Sequence, residues 1–392
     1  MGWRNQSNVE PRTSLRLCLA ISLSLVAIVY YGFITGGHST AQNQKQKNNS
    51  SSQRAKPTPT PSPSGLKGLG PPPPVPTLRK RPEEFKPGDV LSVNTTEVML
   101  PVTVRDAGGR LVSDLTRKDF KVFEDGREQP LSDLALRQVP VDVVLMVDAS
   151  SSVAQNLDDF RRAVDGFATR LAPEDRISLI KFDDRVELVQ DWTQSKFQLH
   201  RALSRIEPGM FTRFNDALLL AAKQQFASNK SRRAIIVLSD GIDSGRGATT
   251  FETAVETLLQ AQAVVYVVSN TEIQRASKKA QLESMNRGTE SEIRFNDLRI
   301  KDLQEGLRVL EASEERLSQL TIATGGRLYK PASFDALDST YAEVADELRH
   351  QYALYYTPLN KERDGSFRRV RVEMTPPNYN ATTRVGYFAP RD

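Results

Sequence analysis

The hydrophobic and polar positions of this chain change character three times. From Leu17 to Ile34 the residues are uncharged and mostly apolar, and they follow Arg4, Arg12 and Arg16. From Gln42 to about Pro87 apolar side chains become sparse: NQKQKNNSSSQRAK is polar, PTPTPSPS alternates proline, and GPPPPVP is a polyproline run. Sequence of that kind cannot bury a core, and proline at this density favours an extended polyproline II chain rising about 3 Å per residue. Beyond it, strand-like alternation takes over. VMLPVTVRD alternates apolar and polar positions, AGGR supplies a turn, and DFKVFED reads as a second strand before a turn at Gly126.

From Val141 the pattern becomes strand, helix, strand. VDVVLMVD is a nearly unbroken apolar strand, as expected of one covered on both faces. Asn156–Leu171 places Phe160, Ala163, Val164, Phe167 and Leu171 on one helical face. RISLIKFDD and RVELVQDW read as strands, the second at an edge. Helices follow over Ser195–Ile206 and Asn215–Ser228, then the strand RRAIIVLSD, a helix over Phe251–Gln260 and the strand AVVYVVSN. A short strand in GGRLYK precedes a helix over Ser333–Leu348, and QYALYYTPL, FRRVRVEMT and TTRVGYF close the chain as strands. The alternation predicts an α/β, doubly wound, mostly parallel sheet with β-rich flanks. Its expected divisions are an N-terminal signal or anchor (1–41), a proline-rich linker (42–87), an N-terminal flank (88–140), the α/β domain (141–348) and a C-terminal flank (349–392). The charged stretch at about 271–320 reads as a solvated helical insertion, with Leu303, Leu307, Leu310 and Leu317 at helical spacing.

Composition narrows the chemistry. Of 392 residues, 53 are Lys or Arg and 48 Asp or Glu, and the basic excess lies largely before residue 90. The folded part is therefore close to neutral, which argues against nucleic acid as a partner. The single cysteine, Cys18, sits in the apolar segment, so disulfides, zinc-thiolate sites and cysteine nucleophiles are excluded from the body. His38, His200 and His350 are the only histidines. The positive start, apolar run and small residues at Ser39 and Ala41 fit export, with a membrane anchor slightly favoured over cleavage after Ala41. The expected location is the cell envelope, outside the cytoplasm, with the linker as a stalk.

In a parallel sheet, ligands gather at the C-terminal strand ends near a topological switch point. Two apolar strands end there in aspartate, Asp148 and Asp240. Asp148 opens D-x-S-x-S, which adds Ser150 and Ser152, and the loop GMFTRFNDAL offers Thr212. Carboxylate and hydroxyl oxygens are hard ligands suited to Mg²⁺ or Mn²⁺. The competing explanation, that Asp148 and the serines cap the next helix, accounts for one segment and not for Thr212 and Asp240. Asp243 and Ser244 read as loop residues on the same rim, Asp216 as a helix cap or supporting partner, and Trp192 as a strand residue.

These five positions, in this order, resemble the metal-ion-dependent adhesion site of von Willebrand factor type A domains. Residues 90 to 390 are similar to VWFA-related proteins known from Acidobacteria, through VTVRDAGGRLVSDLTRKDFKVFEDG and LRHQYALYYTP…RVGYF. The resemblance implies direct metal contacts from Ser150 and Ser152, Thr212 direct or water-linked, and the aspartates acting mainly through water. It also implies a partner protein that presents an exposed Asp or Glu to the metal. GMFT lacks a second glycine before threonine, and LSDG has serine before the aspartate, so ligand preference is the feature these departures touch. A binding module, not an enzyme, is the expectation. The alternatives are a metal-independent envelope scaffold and a Mg²⁺-dependent phosphohydrolase, the latter disfavoured because Ser150 stands where DxD would place a second carboxylate.

Overall fold

The computed structural model describes residues 97–391 except 137–138, 152–155, 227–230 and 376. The apolar run, Cys18, the site after Ala41, the proline-rich linker and Ser152 lie outside the described residues. Among the described residues no helix is long and apolar enough to cross a membrane.

The centre is a six-stranded sheet. Its strands are β5 (Val141–Asp148), β6 (Arg176–Phe182), β7 (Val186–Thr193), β8 (Arg232–Leu238), β9 (Val264–Val268) and β10 (Leu328–Tyr329), in the order β10-β9-β8-β5-β6-β7. All pairings are parallel except that of β7, which returns antiparallel at the edge. Every residue of β5 is buried, and alternate residues feed different cores. Val143, Leu145 and Val147 pack with α1 (Leu157–Arg170), α2 (Lys196–Leu203) and α8 (Leu337–Arg349); Val144 and Met146 pack with α3 (Phe214–Leu220), α4 (Phe251–Gln260) and α7 (Asp297–Thr324). Three layers result, with the expected α/β architecture. The expected helix from Asn215 to Ser228 becomes α3 followed by a π-helical turn over Ala221–Gln225.

The charged stretch after β9 differs from expectation. It forms α5 (Thr271–Asn286), α6 (Glu290–Phe295) and α7, with α5 packed along α7. Only Thr271 of α5 is buried, which suits a solvated helix. In α7, however, Leu310, Leu317 and Leu320 are 1% exposed or less, and the last two belong to the central core. The second half of α7 is thus a layer-forming helix. The charge of the segment concealed this, because α7 carries closely spaced charged residues from Asp297 to Arg316, up to the start of its core-packed end.

The two flanks are one body. A sheet of order β13-β1-β11-β4 comprises β1 (Val98–Arg105), β4 (Leu131–Leu136), β11 (Tyr352–Tyr356) and β13 (Asn380–Thr382). Another, β14-β12-β2-β3, comprises β2 (Phe120–Glu124), β3 (Arg127–Gln129), β12 (Phe367–Met374) and β14 (Gly386–Phe388). Their inner faces share one core of Leu100, Val102, Val122, Tyr352, Leu354, Val370 and Tyr387. Each sheet mixes strands from before and after the α/β domain. The sandwich is joined to that domain at buried Glu347 of α8, which pairs with Arg105 of β1 and accepts a hydrogen bond from Tyr329 Oη at 2.8 Å.

Candidate metal centre

Parallel register builds the site. Val147 of β5 lies opposite Leu238 of β8, so Asp148 falls level with Ser239, and Asp240 one residue further along the same rim. Here the chain leaves β5 towards β6 on one side and β8 flanks it on the other, which makes this crevice the switch point of the sheet. Asp148 is 0% exposed and Asp240 4%. The Ser150 N–H donates to Asp148 Oδ1 at 2.9 Å, and Ser239 Oγ donates to Oδ2 at 2.6 Å. Burial and the nearby Asp240 charge push the Asp148 carboxyl up to about 7. A buried Asp148 carboxyl whose ionisation is opposed by burial and by the Asp240 charge calls for a cation or a retained proton.

Ser150 and Thr212 are buried at 3% and 7% exposure, and both loops that carry them are tied to this rim. The threonine loop is held on three sides. Gly209 N–H donates to Ala149 O at 2.8 Å, directly after Asp148, and Met210 N–H donates to Asp184 Oδ2 at 2.9 Å. A Cβ on Gly209 would lie 2.7 Å from Asp183 and Asp184 side-chain atoms, so any larger residue there would have to displace those carboxylates. On the third side, Thr212 N–H donates to Ser244 Oγ at 2.8 Å and Ser244 N–H returns to Thr212 O at 2.9 Å.

Of the residues expected at this rim, the structure brings Asp148, Ser150, Thr212 and Asp240 to the ends of β5 and β8 and the adjoining loop. Asp243 accepts from Asn215 N–H at 2.9 Å and Gly245 N–H at 2.8 Å, and so serves the loop. Asp216 pairs with Arg213 at 2.9 Å and accepts from Thr249 N–H at 3.1 Å, in keeping with a supporting role. Trp192 is a half-buried strand residue tilted against Phe226. Phe211 is covered by the Arg246 guanidinium, 3.5 Å from the ring centroid.

Two residues of the site escaped the sequence. Ser239 needs the β5–β8 register to be seen, although it stands beside Asp240. Gln274, in α5, donates from Nε2 to Asp240 Oδ2 at 2.8 Å, and nothing in its local sequence marks it.

Among the described residues no group of three or more His, Cys, Asp or Glu side chains could hold a metal ion. A cation here would have to use hydroxyls alongside two carboxylates. The donors present fit that demand: they are hard oxygens, and among the described residues no Lys, Arg or His forms an ion pair with Asp148 or Asp240. A cavity of about 1080 Å³ lies instead between α5, α7 and β10 and is lined by Arg275, Glu314 and Lys330 among others. It contains none of the candidate ligands; a rim site open to a partner need not be a cavity.

Comparison with known proteins bears on the family. Residues 143–243 match the family model for the von Willebrand factor type A domain. Among solved structures, the chain is similar to proximal thread matrix protein 1 from the mussel byssus, 14% identical over 58% of this chain and 51% of that one, with a TM-score of 0.41. It is also similar to a von Willebrand factor type A protein from Catenulispora acidiphila, 11% identical over 64% of this chain and 50% of that one, TM-score 0.40. A third is the corresponding domain of the type V pili tip protein Mfa5 from Porphyromonas gingivalis, 26% identical over 27% and 39%, TM-score 0.26. The chain spans about half the length of the first of these, and at such TM-scores the likenesses carry no functional argument. No curated protein sequence matches this chain. With the family model matched from β5 to the loop after β8, on a three-layer α/β framework, the chain carries a von Willebrand factor type A domain.

Proposed function

We propose that this protein is an extracytoplasmic binding module that engages a partner protein through a divalent cation. Asp148, Ser150, Ser152, Thr212 and Asp240 would hold Mg²⁺ or Mn²⁺, and an exposed Asp or Glu of the partner would complete the ligand set. The observation that carries this reading is the convergence of two buried carboxylates and two hydroxyl residues at one switch-point rim. A bound cation supplies a Lewis-acidic point to which an outside carboxylate can bind. This chain's residues do the rest. Ser239 and the Ser150 N–H orient Asp148, the reciprocal Thr212–Ser244 bonds fix the threonine loop, and Gly209 lets that loop approach the end of β5.

The apolar run at Leu17–Ile34 supports export, with a single-pass anchor ahead of a cleaved signal, and residues 42–87 support a stalk that holds the head away from the membrane. An enzymatic reading finds little in the site. His200 is paired with Asp165 of α1, and His350 lies at the end of α8 against Asp346 O, so neither stands beside Asp148 or Asp240 as a general base.

Binding to envelope proteins, measured by pull-down, should vanish in EDTA and return with Mg²⁺ or Mn²⁺. Thr212→Ala should weaken capture at least about tenfold while leaving the circular dichroism spectrum unchanged. Capture that survives chelation would instead assign the contacts to a metal-independent scaffold, and phosphoester hydrolysis lost in Asp148→Asn would revive the hydrolase.

A further inference from the structure

The helices that follow β9 grip the loop that follows β8. Gln274 Nε2, on the first turn of α5, donates to Asp240 Oδ2 at 2.8 Å. From α7, Ser313 Oγ donates to the Asp240 carbonyl oxygen. Leu317 of α7 packs under Gly241, which has φ +72°, and a Cβ there would meet the leucine at 2.6 Å. The remaining carboxylate oxygen, Asp240 Oδ1, accepts from Ile242 N–H at 3.0 Å. Asp240 is thus fixed at its carbonyl and at both carboxylate oxygens, and two of those three bonds come from a segment whose composition suggests only a solvated insertion.

We propose that Gln274 is a positioning residue of the metal centre, which makes the α5–α7 hairpin part of the site; this rests on the metal reading above. Its chemistry suits the task. A carboxylate that acts on a cation through water must present its lone pairs in a fixed direction, and each oxygen can accept more than one hydrogen bond. A neutral amide fixes that direction without cancelling the charge. A lysine in its place would neutralise Asp240 and repel the cation, and an acid could not donate when ionised. The position is also otherwise uneconomical for packing: Gln274 is half-buried, and only Thr271 of its helix is buried.

The test uses the full chain with three variants: Gln274→Met, matched in length but without the donor; Gln274→Ala, should methionine perturb folding; and Gln281→Leu, two turns further along α5 on an exposed position, as control. Mn²⁺ affinity is followed by electron paramagnetic resonance, with circular dichroism in EDTA as the folding check. Loss of the amide should weaken Mn²⁺ binding by about ten- to a hundredfold, with folded spectra and an unchanged affinity in Gln281→Leu. Equal or tighter Mn²⁺ binding by the Gln274 variants overturns the inference and leaves the metal centre standing. If the wild-type chain binds no Mn²⁺, both are overturned.

Discussion

In EDTA the protein should lose stability as pH rises from about 4 to about 7, and saturating Mg²⁺ should remove most of that loss. The cause is Asp148, whose carboxyl is raised from 3.8 to about 7 by burial and by the neighbouring Asp240. Because the folded chain binds this proton more tightly than the unfolded chain, the stability it contributes is fully present below about 3.8. It is lost as pH climbs towards the folded value. Each unit of difference is worth about 1.4 kcal/mol, so the whole effect is on the order of a few kcal/mol, and it belongs to the Asp148–Asp240 pair rather than to either residue. A cation favours the ionised pair, so the Mg²⁺-induced rise in melting temperature should be large at pH 8 and small at pH 5. Asp148→Asn removes the buried charge and keeps the shape. It should flatten the EDTA profile, match or exceed wild-type stability at pH 8, and respond little to Mg²⁺. Thermal melts of both proteins at four pH values decide the matter, and an Asp148→Asn profile as steep as wild type would refute it.

That behaviour could be anticipated only partly from the sequence. The strands VDVVLMVD and RRAIIVLSD announce themselves by apolar density, and the aspartates that end them can be placed on a common rim without coordinates. Which atom meets which cannot. Ser239 donates to Asp148 because β5 and β8 pair in parallel with Val147 opposite Leu238, and register is a property of two strands together. Gln274 is harder still: its partner lies 34 residues away on another element, and a single glutamine in a charged helix looks like solubility. Asp183 and Asp184, in the β6–β7 turn, crowd the glycine that begins the threonine loop, but they do so across 25 residues of chain.

Charge also misdirects the reading of α7. Its leucines at 303, 310 and 317 recur every seven residues, a spacing that fits a helix laid along a partner helix. The structure uses that stripe twice, first against α5 and then, at Leu317 and Leu320, in the core beneath the sheet. The flanks show a different case: β1, β2, β11 and β12 are readable alone, β3 and β4 are not, and TTRVGYF divides between the end of β13 and β14. Their union depends on pairings such as Leu100 with Leu354 and Val122 with Val372. Contacts of such sequence separation leave no local trace. They also imply that the sandwich cannot be completed until both ends of the chain are present.

The largest stability effect outside the metal centre should come from Glu124→Ala. Glu124, 3% exposed, sits in the sandwich and binds groups from three further strands. Tyr356 Oη of β11 and Tyr387 Oη of β14 donate to its Oε2 at 2.9 and 2.8 Å, and Arg368 Nη1 of β12 lies 3.4 Å from Oε1. Tyr356 comes from one sheet and the other three residues from the second, so the carboxylate pins the sheets together. Truncation would strand Arg368, 2% exposed, without its anion and leave two phenol hydroxyls without an acceptor. Removing one partner of a buried pair costs about 3–5 kcal/mol. Glu124→Gln keeps an acceptor and should cost less, about 1–3 kcal/mol. Urea denaturation of a Trp3→Phe background leaves Trp192, in β7 of the α/β domain, as the sole tryptophan reporter. If Arg105–Glu347 and the Val385 N–H to Ala323 O bond couple the two bodies into one cooperative unit, the Trp192 midpoint should fall together with the far-ultraviolet midpoint in Glu124→Ala. A Trp192 transition that stays at the wild-type midpoint while the circular dichroism signal shifts would mean that the sandwich melts alone. A loss below about 1 kcal/mol by both probes would mean that the buried carboxylate contributes no more than a single ordinary hydrogen bond.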